Sequence, residues 1–151
     1  MSARVGIGVD AHRFGGPGPL VLGGVRVVHD VGLAGHSDGD VLAHAVSDAL
    51  LGAAGLGDLG EVFGSDAPEH AGADSMRLLA RCVELAGRPA QWVDATLVAE
   101  QPRLAPYRAE MARALSSVVG CPVNVKVTST DGLGFTGRGE GMAALAVVLL
   151  E

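Results

Sequence analysis

Aromatic side chains are scarce in this chain of 151 residues, at 3% of the total, although 48% of it is hydrophobic. Its core must therefore be built from Val, Leu and Ala. There are only two cysteines, Cys82 and Cys121, far apart and without metal-ligand spacing. That excludes a disulfide framework and a cysteine zinc site, and it points to small core residues in a reducing compartment. No basic run occurs and the formal net charge is -6, which argues against nucleic acid or an anionic membrane as the main partner. No apolar run approaches the roughly 18 residues of a membrane span, and the first residues lack a signal-peptide core. The expectation is a cytoplasmic protein, with residues 1–151 forming a single domain.

What is abundant is glycine, with 23 residues that punctuate the chain. Residues 5–14 read as a strand interrupted by Gly6 and Gly8. Residues 20–22 and 25–28 flank Gly23-Gly24, a two-residue hairpin signal. A helix is expected to open at Ser37, with its hydroxyl as cap and Asp40 as the acid of a capping box. Its apolar face uses Val41, Leu42, Ala45, Val46, Ala49 and Leu50, while Asp40, His44 and Asp48 form a row spaced by four. A short helical turn fits 58–63, and a second helix starts at Asp74 or Ser75 and runs to 86. A strand follows at 91–99, then a helix to about 118, a strand at 123–130, a glycine-rich loop at 131–141 and a strand at 142–150. The last strand is apolar on both faces, which requires burial on both. Three helices on one face of a small sheet leave the other face for a neighbouring subunit. The fold expected is α/β of the α+β type: a single-domain two-layer sandwich with a mixed sheet, three helices on one face and a neighbouring subunit of an oligomer on the other.

Three residues carry the clearest chemistry. Asp10 and His12 share one face of a strand, because strand side chains alternate. His44 lies on the first helix. If that helix packs over the strand, one carboxylate and two imidazoles converge, which is the ligand set of a working divalent metal with an open position. The bland alternatives are a structural Asp-x-His pair and a satisfied polar residue at a helix edge. Asp40 and Asp48 are then candidate acceptors for an imidazole N–H. His36 and Ser37 concentrate polar groups at a helix start and suit either simple capping or phosphate. The segment 128–141 is rich in glycine and hydroxyls. Its amides and hydroxyls suit phosphate, Arg138 suits an anion and Asp131 suits Mg2+; it reads otherwise as a hairpin connection. Residues 99–104, at a strand end, read as a turn or as a ligand loop.

Five segments together resemble the family of 2-C-methyl-D-erythritol 2,4-cyclodiphosphate synthases. They are Gly8-Val9-Asp10-Ala11-His12, Ala34-Gly35-His36-Ser37-Asp38-Gly39-Asp40 with His44, Gly57-Asp58-Leu59-Gly60, Gly72-Ala73-Asp74-Ser75, and Gly134-Phe135-Thr136-Gly137-Arg138-Gly139-Glu140-Gly141. The resemblance implies a homotrimer with active sites between subunits and a cytidine diphosphate substrate. It implies Asp10, His12 and His44 as ligands of Zn2+ or another divalent transition metal, with Mg2+ or Mn2+ as a second ion at Asp131. It implies a transition-state role for His36 and Ser129, and substrate contacts from Asp10, His12, His36, Ser37, Asp58, Gly60, Ala99, Glu100, Gln101, Pro102, Arg103, Leu104, Thr128, Ser129, Thr130, Asp131, Phe135 and Arg138. It also implies a prenyl diphosphate as an occupant of the trimer axis. The chain departs from the usual pattern at Ser129 (usually Thr), at Asp131 (usually Glu), at Arg103 (usually Lys) and in Phe63-Gly64-Ser65-Asp66-Ala67-Pro68. The alternative reading is a non-catalytic trimer that binds a nucleotide or a prenyl diphosphate; an enzymatic rival is a metal-dependent phosphohydrolase.

Overall fold

A computed structural model describes residues 2–35, 37–64 and 74–151. The expectations placed on His36 and on residues 65–73 lie outside the described residues. Five strands form one sheet in the order β4-β1-β7-β5-β6: β1 is Arg4–Gly16, β4 Gly32–Leu33, β5 Ala90–Val98, β6 Val123–Thr128 and β7 Gly141–Leu150. β5 and β6 run parallel and the other pairs antiparallel, so the sheet is mixed as expected. β2 (Leu20–Leu22) and β3 (Val25–Val27) form a separate hairpin. Its turn residues, Gly23 and Gly24, both have positive φ, as a tight hairpin of this kind requires.

The helices are α1 (Val41–Ala54), α2 (Leu59–Phe63), α3 (Ser75–Ala86), α4 (Arg108–Val119) and the one-turn α5 (Gly134–Gly137). α1 lies across β1 and β7, α4 lies on β6, and α3 packs against both helices. The buried layer alternates as strand geometry demands. Ala144, Ala146 and Val148 of β7 sit beside Leu97, Ala95 and Val93 of β5, and all face Val46, Leu50 and Leu115 in one aliphatic core.

Gly6 and Gly8 do not interrupt β1; they let α1 approach it. A Cβ at either position would fall 1.9 Å from a carbonyl oxygen of α1, that of Ala49 or of Ala45. Only glycine permits that contact. The opposite sheet face is apolar yet open: Val5 and Ile7 are each 66% exposed and Val9 59%. Leu145 and Val147 pair with Val9 and Ile7 across the β1–β7 ladder and continue that stripe.

Three local expectations change. α1 begins at Val41 rather than Ser37, with Asp40 itself as N-cap, accepting from the Ala43 N–H. The reason is the turn before it, where Gly39 takes a positive φ that a helix cannot continue. β6 ends at Thr128, because Asp131 adopts φ 53° and turns the chain. The loop at 131–141 contains α5.

Candidate active site

Because α1 rests on the glycine stretch of β1, His44 is brought over Asp10 and His12. Asp10 Oδ2 lies 2.8 Å from His12 Nε2 and 3.0 Å from His44 Nδ1, and the two imidazole nitrogens are 3.2 Å apart. The other nitrogen of each ring has a partner. His12 Nδ1–H donates to the Ala34 carbonyl at 2.7 Å. That carbonyl is fixed in turn, since Ala34 N–H donates to Arg13 O just beyond β4. His44 Nε2 lies 2.7 Å from Ser75 Oγ and 3.0 Å from Ser37 Oγ. Neutral rings held this way aim two lone pairs and a carboxylate oxygen at one point.

Three acceptors facing one another repel unless a cation lies between them. A divalent ion about 2 Å from each of three ligands at tetrahedral angles separates them by about 3.3 Å, and the observed triangle is within about half an ångström of that. The donor set thus fits a metal, with its remaining side open to the cleft. Asp40 and Asp48 are not the imidazole acceptors expected of them. Asp40 is fully buried and its oxygens accept from Gly23, Gly24 and Ala43 N–H, while Asp48 Oδ1 accepts from Leu59 N–H at 2.8 Å. The main-chain carbonyl of Ala34 and the hydroxyl of Ser75 do that work instead. Both are invisible to a search for titratable side chains; Ser75 stands out only as the start of a helix and as the last residue of the Gly72-Ala73-Asp74-Ser75 segment.

When the rings act as donors to Asp10 rather than as ligands of a cation, burial raises its carboxyl, but the hydrogen bonds and charge of His12 and His44 outweigh it and hold the group below its ordinary value. The hydrogen bond to Asp10 raises His12, against its burial. The half-buried Asp48 is pushed up, chiefly by desolvation.

The Asp10–His12–His44 triad opens into a cavity of about 390 Å³ that is also lined by Ser37, Asp48, Asp58, Gly60, Phe63 and Leu78. Asp58 caps α2 there, accepting from Glu61 N–H at 2.8 Å. The sequence-predicted residues Ala99, Glu100, Gln101, Pro102, Arg103 and Leu104 line a different cavity of about 490 Å³, together with Thr128 and His29. The two cavities share no lining residue. His29 was not anticipated; it follows the hairpin and carries no motif.

The hydroxyl-rich loop is ordered by its own side chains. Thr130 Oγ1–H donates to Leu133 O at 2.6 Å, and Ser129 Oγ–H donates to Asp131 Oδ1 at 3.2 Å. Gly132 N–H reaches Glu100 Oε2 at 3.5 Å, linking this loop to the second cavity. Arg138 pairs with Glu140 at 3.1 Å and borders a third cavity with Phe14, His29 and Gln101. Phe135 is 42% exposed.

The sequence model of the YgbB family matches residues 3–151. The chain is 52% identical over 153 residues to the 2-C-methyl-D-erythritol 2,4-cyclodiphosphate synthase of Edwardsiella ictaluri, covering 97% of this chain and 98% of that one. Among solved structures it resembles the bifunctional IspDF from Campylobacter jejuni, with a TM-score of 0.94 and 39% identity; 99% of this chain matches, but only 42% of that longer one. It also resembles a 2C-methyl-D-erythritol-2,4-cyclodiphosphate synthase solved in a CDP-bound form, with a TM-score of 0.86, 34% identity, and coverage of 98% of this chain and 100% of that one. A metal-type cleft on this mixed sheet, whole-length matches and the family model agree: this chain belongs to the YgbB family, that of the 2-C-methyl-D-erythritol 2,4-cyclodiphosphate synthases.

Proposed function

We propose that this protein is a 2-C-methyl-D-erythritol 2,4-cyclodiphosphate synthase, a divalent-metal-dependent phosphorus–oxygen lyase. It converts 4-diphosphocytidyl-2-C-methyl-D-erythritol 2-phosphate into the cyclic 2,4-diphosphate and CMP. An oxygen of the 2-phosphate bonds to the β-phosphorus, and the bond from that phosphorus to the bridging oxygen breaks, so CMP leaves with the electron pair. The observation that carries this reading is the convergence of Asp10, His12 and His44 on one point at the edge of a cleft that Ser37, Asp48 and Asp58 also line. The named relatives favour it over a non-catalytic binding protein.

The nucleophile is already an anion, so no side chain has to become one. What remains is positioning and neutralisation of charge. A Zn2+-type ion at Asp10, His12 and His44, and Mg2+ or Mn2+ near Asp131, supply positive charge against the phosphates when bound. Ser37 faces the same cleft and donates to phosphate, with His36 beside it in sequence. Asp58 and the main chain at Gly60 hold the erythritol hydroxyls. Residues 99–104 with Thr128 take the cytidine; Ser129, Thr130, Phe135 and Arg138 stand toward the phosphates. Arg138 reaches a phosphate by giving up its pairing with Glu140. The shorter side chain of Asp131 relative to glutamate places any ion it holds closer to the loop backbone.

The working form is a homotrimer with the active site between subunits, and each chain is one catalytic domain. Two features support the trimer. The outer sheet face carries Val5, Ile7, Val9, Leu145 and Val147 in the open, and the cytidine-type cavity shares no lining with the metal cleft of its own chain. A prenyl diphosphate is the ligand we assign to the trimer axis. Purified protein supplied with Zn2+, Mg2+ and the diphosphocytidyl substrate is expected to release CMP and a cyclic diphosphate, read by mass spectrometry. No CMP release would sink the assignment, and free phosphate in its place would identify a hydrolase.

A further inference from the structure

Behind the cleft, Asp38, Ser75 and His44 form a chain of groups of which the reaction as described uses only His44. Ser75 is fully buried at the first turn of α3. Its hydroxyl makes a short hydrogen bond to Asp38 Oδ1, while Asp38 Oδ2 accepts from the Ser75 main-chain N–H at 3.0 Å. The same Oγ stands 2.7 Å from His44 Nε2. A carboxylate can only accept, so the single proton of the hydroxyl is committed to Asp38. Toward His44, Ser75 is left with lone pairs alone. The ring must therefore carry its proton on Nε2, which leaves Nδ1 bare and aimed at Asp10 Oδ2 and His12 Nε2. A serine without Asp38 can donate as readily as accept, and the opposite tautomer would block the ligand nitrogen.

We propose that Asp38 and Ser75 are positioning residues for the metal centre: together they set the tautomer and ring orientation of His44, acting as a hydroxyl-relayed version of the carboxylate that backs a ligating histidine. The inference rests on the reading of Asp10, His12 and His44 as metal ligands. It also ties the start of α3 to α1 through the ligand itself, since Ser75 sits at the N-terminus of one helix and His44 in the first turn of the other. Ser37 is the other hydroxyl near His44, with Oγ 3.0 Å from Nε2 and 3.3 Å from Ser75 Oγ; unlike Ser75 it lines the cleft, where a ligand can draw it away from the ring.

The test uses zinc alone as the probe, on the full chain. Zinc affinity, measured by competition with a chromophoric chelator, is expected to fall about 10- to 100-fold in Ser75→Ala and to return within about threefold of wild type in Ser75→Thr, which keeps the hydroxyl. In 15N-histidine spectra of the zinc-loaded wild type, His44 is expected to bind through Nδ1 and to show a slowly exchanging Nε2–H. That proton is expected to exchange rapidly in Ser75→Ala, while the Nδ1–H of His12, held by Ala34, stays slow. Equal zinc affinity in Ser75→Ala and wild type overturns the inference while leaving the metal site standing; a wild type that binds no zinc overturns both. Should Ser75→Ala not fold, the wild-type spectrum decides alone: zinc on Nε2, or an Nε2–H in fast exchange, overturns the proposal.

Discussion

The point where a side chain on Gly8 would begin lies 1.9 Å from the carbonyl oxygen of Ala45. This contact sets the height of α1 above β1, and with it the distance from His44 to Asp10 and His12. Both partners are backbone, so neither can swing aside. Gly8→Ala is expected to cost about 3 kcal/mol in urea unfolding and to lower zinc content as His44 is pushed off the triad. Gly52, on the exposed side of α1, is the contrasting site: its added Cβ meets nothing nearer than 4.0 Å. Gly52→Ala is expected to stabilise by about 0.5–1 kcal/mol, because alanine loses less backbone freedom in a helix. Equal responses at the two positions would refute this account of the helix–strand contact.

Asp40 links the hairpin turn to the start of α1. Its Oδ1 accepts from Gly23 and Ala43 N–H and its Oδ2 from Gly24 N–H. Asp40→Asn turns one acceptor into a donor facing the Gly24 N–H and is expected to cost about 2 kcal/mol at pH 7. Burial lifts the Asp40 carboxyl from 3.8 to about 6 against its three backbone donors. Between those values the folded chain holds a proton that the unfolded chain has lost. Wild-type stability relative to the asparagine variant should therefore rise as pH falls from about 6 to about 4, and stay level above that window. Denaturation curves for both proteins at pH 4.5 and 7.5 measure it, and an unchanged gap would show that the group titrates normally.

Ile7 projects from the outer sheet face beside Val147. Being 66% exposed, it contributes little to the fold of its own chain. Ile7→Lys places a charge in the stripe assigned to the trimer. The expected outcome is a folded monomer by analytical ultracentrifugation that still binds zinc yet no longer releases CMP, because its cytidine-type cavity has lost the neighbouring metal cleft. Unchanged sedimentation would remove this face from the interface.

Cys82 is fully buried and its thiol is pushed up to about 11 by burial. Cys121 is buried at 7% exposure and is also raised. The thiolate is the reactive form, so Ellman's reagent at pH 8 should label neither in the native protein and both in urea. Rapid native labelling of Cys82 would contradict the packing of α3 against α1.

Much of this was legible in the chain. The alternation of β1 puts Asp10 and His12 on one face whatever the tertiary structure, and the Gly23-Gly24 pair dictates its hairpin. The role of the glycines of β1 is not legible, because an isolated segment gives no sign that a helix backbone lies against it; Gly6 and Gly8 look like breaks until Ala49 and Ala45 are seen above them. Asp40 was misplaced for a related reason. As a local signal it is the acid of a capping box, but two of its three donors, the N–H groups of Gly23 and Gly24, come from the distant hairpin turn. Ser75 carries no titratable group, so only proximity to His44 reveals its part.

The sequence by itself determined the ligand types, the shared face of Asp10 and His12, the aliphatic core and the family, since each depends on residue identity and local period. Only the tertiary structure decided that His44 closes the triad at 3.2 Å from His12, that Ala34 and Ser75 rather than Asp40 and Asp48 hold the imidazoles, and that residues 99–104 line a cavity apart from the metal cleft. These are contacts between segments distant in the chain. They are set by how closely two backbones can approach, and that is fixed where glycines of one strand meet the carbonyls of one helix.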